Sequence, residues 1–114
     1  MDYKKLYDIL YKEGYHENSL NIGSKLAEEI VKLYKSGNWW KENYDSSSIK
    51  FLIKGSYRFA VVINKNDDEA IGMGRILSDG VSDAYIQDLV VLEKYRGQGL
   101  GEQLVKFLVD FFHV

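Results

Sequence analysis

The sequence contains no cysteine and only two histidines, His16 and His113. The lack of cysteine excludes disulfide bonds and metal sites built on thiolates. Two histidines so far apart along the chain argue against a histidine-rich metal centre. We therefore expect no metal site. A chain without cysteine also fits a reducing compartment, and we expect a cytoplasmic protein.

Clustered positive charge and long apolar segments are absent as well. Lysines and acidic residues alternate along the chain, and the formal net charge is −2, whereas nucleic-acid-binding surfaces show clustered Lys and Arg. No apolar run approaches the ~20 residues needed to cross a membrane. The N-terminus lacks the apolar core and cleavage site of a signal peptide. We expect neither a nucleic acid nor a membrane among the partners.

A chain of 114 residues fits one domain. The first half of this chain shows helical periodicity. We predict a first helix over residues 3–13, where apolar residues recur near helical spacing and Gly14 follows. A second helix is predicted from Ser24, as N-cap, to Gly37, because its apolar residues share one face. A short third helix should follow a run of three serines and end at Gly55.

The second half of the chain changes to the patterns of strands. Residues 57–64, 70–77 and 84–91 are rich in β-branched and aromatic residues, and short turns separate them. Three such strands make an antiparallel meander. Gly72 and Gly74, inside the second strand, predict either a bulge or a close approach of substrate. Together with the helices, these strands predict an α/β fold with α+β layers around one sheet.

A glycine-rich loop links the third strand to a final helix, which we predict from near Gly99 to the last residue. Gly97, Gly99 and Gly101 allow positive φ and admit a ligand close to the main chain. The first N–H groups of a helix lack intrahelical partners and favour an anion. The phosphate-binding pattern that ends in Lys-Ser or Lys-Thr is absent, and the third glycine of the dinucleotide fingerprint would fall at Glu102. Both common nucleotide loops are thus poor matches.

The glycine-rich loop reads Arg-Gly-Gln-Gly-Leu-Gly over residues 96–101. This hexapeptide matches the signature Q/R-x-x-G-x-G/A, and the loop thereby resembles that of the GNAT N-acetyltransferase superfamily. Residues 88–91 are similar to the apolar strand that leads into this loop, and Tyr95 stands where an aromatic residue is common. Residues 71–75, followed by Asp79 and Gly80, resemble the preceding hairpin of the family. Glu93 is a departure, because many members have proline there.

The resemblance implies acetyl-CoA as cosubstrate and an amine, on a small molecule or a peptide, as acceptor. It implies direct attack of the amine on the thioester in a ternary complex, with the acetyl carbonyl polarised by a backbone N–H of Leu89 or Val90. The pantetheine arm would pair with the strand, and the pyrophosphate would lie on the loop. The implied cofactor-binding residues are Leu89, Val90, Val91, Arg96, Gly97, Gln98, Gly99, Leu100, Gly101 and Glu102.

A general base is less defined by the resemblance, since family members place it variably. We predict Asp88 in this role, because it lies on the strand that would meet the thioester. Asp83, at the start of that strand, is the second candidate. The structural alternative for Asp88 is an ion pair with Arg75 or simple exposure to solvent. Trp39 and Trp40 either line the acceptor cleft or pack on the core, and packing is the favoured alternative.

The resemblance covers roughly residues 20–114. It implies a GNAT-like mixed, mainly antiparallel sheet flanked by helices, with an N-terminal helical extension over residues 1–14 and the N-terminal part of an acetyltransferase domain over residues 15–114. Complete domains continue after the signature helix, so we expect the C-terminal strands to be missing. The wide apolar stripe of the final helix and an unpaired edge strand then predict a homo-oligomer. The alternatives to an enzyme are a non-catalytic CoA-binding or self-associating fragment, or an interaction domain whose glycine loop is incidental.

Overall fold

Four antiparallel strands form one sheet in the order β1-β2-β3-β4 in the computed structural model of the chain. The structure describes residues 5–9, 24–42, 44–64, 67 and 69–110. The elements in chain order are β1 (Lys5–Ile9), α1 (Ser24–Ser36), α2 (Ser48–Lys54), β2 (Arg58–Asn64), β3 (Glu69–Ser78), β4 (Ala84–Val91), a 3₁₀ turn (Glu93–Tyr95) and α3 (Leu100–Asp110).

Residues 5–9 correct the sequence analysis, because the helix predicted over residues 3–13 is wrong there. They form β1, which pairs antiparallel with β2 from Lys5 opposite Ile63 to Ile9 opposite Phe59. Pairing satisfies backbone groups along the outer edge of β2, which a helix at this position would leave unpaired. Local helix preference is a weak prior that such tertiary pairing overrides. Residues 5–9 therefore belong to the sheet rather than to a separate helical extension, and the rest of residues 1–14 lies outside the described part.

The other predicted elements are confirmed. The strands predicted at 57–64, 70–77 and 84–91 are β2, β3 and β4 with almost the same bounds, and they form the expected meander. The helix after the three serines is α2. The final helix is observed to Asp110, and residues 111–114 lie outside the described part. Among the described residues, no helix combines the length and the apolar character that a membrane crossing requires.

The sheet has a packed apolar layer on each face. All residues of β2 are buried, so its alternate side chains serve the two layers. Phe59, Val61 and Ile63 belong to the layer that includes α1 and α2. Ala60 and Val62 belong to the layer that includes α3. Burial on both faces explains why β2 shows a continuous apolar run instead of strict alternation.

A bulge interrupts the pairing of β4 with β3. Met73 pairs with Val90 and Arg75 with Gln87, so that Gly74 faces both Asp88 and Leu89. A Cβ on Gly74 would lie 2.9 Å from Cδ1 of Leu89, so the glycine leaves room for that side chain. The bulge predicted as one explanation for the strand glycines is therefore present at Gly74. It bends β4 directly before the segment that leads into the glycine loop.

Candidate functional site

A cleft with a volume of about 240 Å³ opens between the end of β4 and the start of α3. The residues that line it are Leu89, Val90, Val91, Tyr95, Arg96, Gly97, Gly99, Leu100 and Gly101. The fold thus brings the predicted cofactor-binding residues together at one place, except Gln98 and Glu102, which are not among the lining residues. For all ten predicted residues, the binding of a cofactor stays a prediction. Tyr95 lines the cleft but was not among the predicted site residues.

The loop turns sharply at two glycines. Gly97 has φ of 83° and Gly99 has φ of 81°, a left-handed conformation that costs other residues about 1–2 kcal/mol. A Cβ added at either position would meet nothing within 4 Å. The backbone angle, and not a lack of space, is thus the structural reason for glycine at these two positions.

The start of α3 presents backbone N–H groups to the cleft. The N–H of Gln103 donates to the carbonyl of Gly99 over 3.0 Å, and the N–H groups of Leu100, Gly101 and Glu102 precede this first helical bond. Such groups and the helix dipole favour a bound anion. A Cβ on Gly101 would also meet nothing within 4 Å. The wall of the cleft at Gly101 is bare backbone, which gives an anionic ligand room to approach the amides.

Tyr95 fastens the loop to the sheet. Its side chain is only 3% exposed. Nδ2 of Asn64 donates to the Tyr95 hydroxyl over 3.3 Å, and this hydroxyl donates to Oε1 of Glu69 at 3.4 Å. These partners lie at the end of β2 and the start of β3. The pattern of the family places an aromatic residue here, but only the fold shows which partners fix it.

Arg96 ties the loop to the last residue of β4. Its Nε donates to the carbonyl of Val91 over 2.8 Å, and its side chain is otherwise exposed. The guanidinium therefore lies at the mouth of the cleft, where a positive charge supports the binding of an anion.

Asp88, the predicted general base, lies at the bulge with its carboxylate engaged. Nε of Arg75 is 2.5 Å from Oδ2 of Asp88, and the hydroxyl of Tyr34 donates to the same oxygen over 2.7 Å. Burial, and then the hydrogen bond to Asp88, raises the pKa of Tyr34 far above its usual value, so the hydroxyl stays a donor. The ion pair with Arg75 that we gave as the structural alternative is present. A role as base stays a prediction.

The remaining candidates lie elsewhere. Asp83 lies in the exposed hairpin before β4, where its backbone carbonyl accepts a hydrogen bond from Ser78. Trp40 is half-buried against the layer of α1 and α2, which confirms the packing alternative for this residue. Trp39 is 42% exposed and contacts the ring of Tyr34 edge-on, with ring centroids 6.3 Å apart.

Comparison with known proteins gives results that agree with this geometry. The model of the "Acetyltransferase (GNAT) family" matches residues 24–113. The "Uncharacterized N-acetyltransferase ycf52" of Porphyra purpurea is 31% identical over 108 residues, which cover 92% of this chain and 59% of that protein.

Solved structures show the same relationship. A GNAT family acetyltransferase of Streptococcus pneumoniae, SP0256, superposes with a TM-score of 0.62 at 28% identity over 75% of this chain and 59% of that one. A GNAT family structure from Xanthomonas campestris has a TM-score of 0.59 at 19% identity and covers 94% of this chain and 66% of its own, which shows similarity of fold. The chain thus spans 59% of the length of the curated relative and of the first of these structures.

Proposed function

The chain belongs to the GNAT family of acetyltransferases, and from this premise we propose that it binds acetyl-CoA in the cleft between β4 and α3 and transfers the acetyl group to an amine. One observation supports this most directly. The bulged end of β4, the two left-handed glycines and the bare N-terminus of α3 line one continuous cleft. A thioester arm would need the edge of β4 and a diphosphate would need the N-terminus of α3, and these two surfaces lie side by side in the cleft.

The residues of the loop fit a diphosphate. The amides of Leu100, Gly101 and Glu102 lie at the positive end of α3, and Gly101 leaves their surroundings open. The guanidinium of Arg96 adds a positive charge at the mouth of the cleft. Glu102, as an acidic residue in the first helical turn, remains exposed to solvent. We propose that the three backbone amides and the guanidinium of Arg96 hold the diphosphate of the coenzyme.

The main chain of β4 fits the thioester arm. Among the described strands, β4 pairs only with β3. Its other edge is therefore not paired with any described strand. A backbone N–H of Leu89 or Val90 would polarise the acetyl carbonyl, and one such preorganised donor is worth about 2.7–4 kcal/mol of activation free energy. Acetyl-CoA supplies the electrophilic thioester carbonyl when bound. The acceptor amine must lose a proton, to a carboxylate or to water, as its nitrogen bonds to that carbon and the thiolate leaves.

Acetyl-CoA should raise the melting temperature of the chain, because a ligand that binds only the folded state stabilises it. At 100 times the dissociation constant the gain is about 2.7 kcal/mol, and we expect a shift of several degrees in thermal unfolding followed by circular dichroism. CoA should give a similar shift, since it carries the same diphosphate. Adenosine is the matched control without a diphosphate and should give almost none. Equal shifts with adenosine and CoA, or no shift with acetyl-CoA, would contradict the proposed site.

A non-catalytic CoA-binding role is the second candidate function. The observation that favours it is the engagement of Asp88 by Arg75 and Tyr34, since this carboxylate is the predicted base. Release of free thiol from acetyl-CoA in the presence of a panel of amines separates the two functions. Thiol release that depends on the amine supports the enzyme, and binding without release supports the second candidate.

We also propose that the chain self-associates through the exposed first half of β4, which precedes the residues proposed for the thioester arm. Tyr85 and Ile86 are exposed apolar residues in this half of the edge strand, and such edges favour pairing with another chain. Sedimentation velocity over a range of concentrations should show a dimer. Ile86→Lys should shift the equilibrium to the monomer, because charged residues on edge strands oppose pairing. A wild-type chain that stays monomeric at every concentration would refute the proposal.

A further inference from the structure

The bulge of β4 places an unusual residue in a left-handed conformation. Asp88 has φ of 58°, whereas bulges that need positive φ commonly use glycine. Aspartate tolerates this region better than most residues, because its short polar side chain finds nearby partners. Glycine could adopt this positive φ without strain, yet the sequence has a residue with a carboxylate here. This suggests that the carboxylate itself holds the bulge.

The partners of this carboxylate come from two other elements. Arg75 lies on β3 opposite Gln87, beside the bulge, and Tyr34 lies near the end of α1. Both contact Oδ2 of Asp88, and Arg75 also donates from Nη1 to Oγ of Ser56 over 3.3 Å. The hydroxyl of Ser56 donates in turn to a backbone carbonyl of α2 over 2.6 Å. The carboxylate therefore links β4 to β3 and α1 directly, and to α2 through two further hydrogen bonds, from Arg75 to Ser56 and from Ser56 to α2.

This network has little access to water. The side chain of Arg75 is 14% exposed and that of Asp88 is 18% exposed, while Tyr34 is buried. Charge-assisted hydrogen bonds with so little exposure are stronger than those at a surface, and water replaces them poorly. The network can therefore keep the bulge in one conformation.

The residues that follow Asp88 line the cleft. Leu89 and Val90 both contribute to its wall. Val90 is buried against the layer of α1 and α2, and the side chain of Leu89 lies on the opposite face, next to Gly74. A shift of one residue in the register of a strand exchanges the two faces and reverses the direction of the backbone groups. The conformation of the bulge thus decides which amides of β4 are presented to the cleft.

We infer that Asp88 is a positioning residue, whose carboxylate, clamped by Arg75 and Tyr34, fixes the bulge that presents the amides of Leu89 and Val90 to the acetyl thioester. In this role Asp88 does not take the proton of the amine. The consequence for acetyl-CoA rests on the function proposed above, whereas the consequence for the backbone of β4 is a property of the free protein.

Three variants remove one part of the clamp each: Tyr34→Phe, Arg75→Gln and Asp88→Asn. Asparagine tolerates positive φ and can still accept a hydrogen bond, so the last variant should fold. In the free protein, each variant should shift the amide resonances of Leu89 and Val90 in ¹⁵N–¹H spectra. Each should also weaken binding of acetyl-CoA by about tenfold in titration calorimetry, since one buried charge-assisted contact is lost.

Tyr44→Phe is the matched control, because Tyr44 is an exposed tyrosine of the loop after α1, and it should change neither measurement.

The outcomes separate the clamp from the alternatives. Unchanged amide resonances and unchanged affinity in all three variants would overturn the clamp. A loss of turnover confined to Asp88→Asn, together with loss of the acidic limb of the pH–rate profile, would overturn it in favour of a general base. A wild-type chain that binds no acetyl-CoA would refute the proposed function alone, because the amide resonances of the free variants would still decide the role of the clamp.

Discussion

Replacing Gly101 with leucine should abolish the binding of acetyl-CoA and leave the chain folded. Gly101 lies in the first turn of α3, and a Cβ at this position meets nothing within 4 Å. Leucine should therefore be accommodated, and its better helix propensity adds up to about 1 kcal/mol to stability. Its side chain would extend into the space proposed for the diphosphate. We expect a loss of affinity on the order of 100-fold or more in titration calorimetry, with an unchanged or higher melting temperature of the free chain.

Two glycine variants serve as controls for this result. Gly101→Ala adds only a methyl group and should lower the affinity less than leucine does. Gly97→Ala places its methyl group in open space but forces alanine into positive φ, so it should lower the free energy of unfolding by about 1–2 kcal/mol. If Gly101→Leu binds acetyl-CoA as tightly as the parent chain, the diphosphate does not lie at the N-terminus of α3.

The cleft could be predicted from the sequence because its parts are adjacent along the chain. A strand of β-branched residues, a loop with alternating glycines and an amphipathic helix follow one another, and each has a local signature. Local signatures of this kind also predicted β2, β3 and the helices. The resemblance to the GNAT family then assigned a ligand class to the loop, and the structure places most of these residues around one cleft.

The contacts that fix this cleft could not be predicted in the same way, because they join distant residues. Tyr34 and Asp88 are 54 positions apart, and Asn64 and Tyr95 are 31 positions apart. Nothing in the spacing of apolar residues indicates such pairs. The helix prediction was wrong at residues 5–9 for the same reason, since their strand conformation depends on pairing with β2 and not on their own preferences. Arg75 was the exception, because its position in the adjacent strand made a cross-strand ion pair with Asp88 an evident alternative.

The packing of α3 on the sheet holds the N-terminus of the helix at the end of β4. Replacing Leu104 tests how much this packing contributes. Its side chain is fully buried with Ala60, Val62 and Ile71 in the layer between α3 and the sheet. Leu104→Ala should lower the free energy of unfolding in urea by about 2–5 kcal/mol, a large part of the ~5–15 kcal/mol that is typical of a domain. Val109→Ala is the control on the same helix. Val109 is 44% exposed, so the change should stay within about 0.5 kcal/mol.

Acetyl-CoA should restore part of the stability that Leu104→Ala loses, because the first turn of α3 both binds the coenzyme and is held by this side chain. If α3 stays docked in the variant, a concentration 100 times its dissociation constant should raise the free energy of unfolding by about 2.7 kcal/mol, as in the parent chain. The affinity itself should change little, since Leu104 is not among the residues that line the cleft. A variant that folds but gains no stability from acetyl-CoA, while the parent chain does, would contradict this expectation. It would show that the cavity releases α3 from the sheet and that the amide groups at its N-terminus bind only when the helix is held in place.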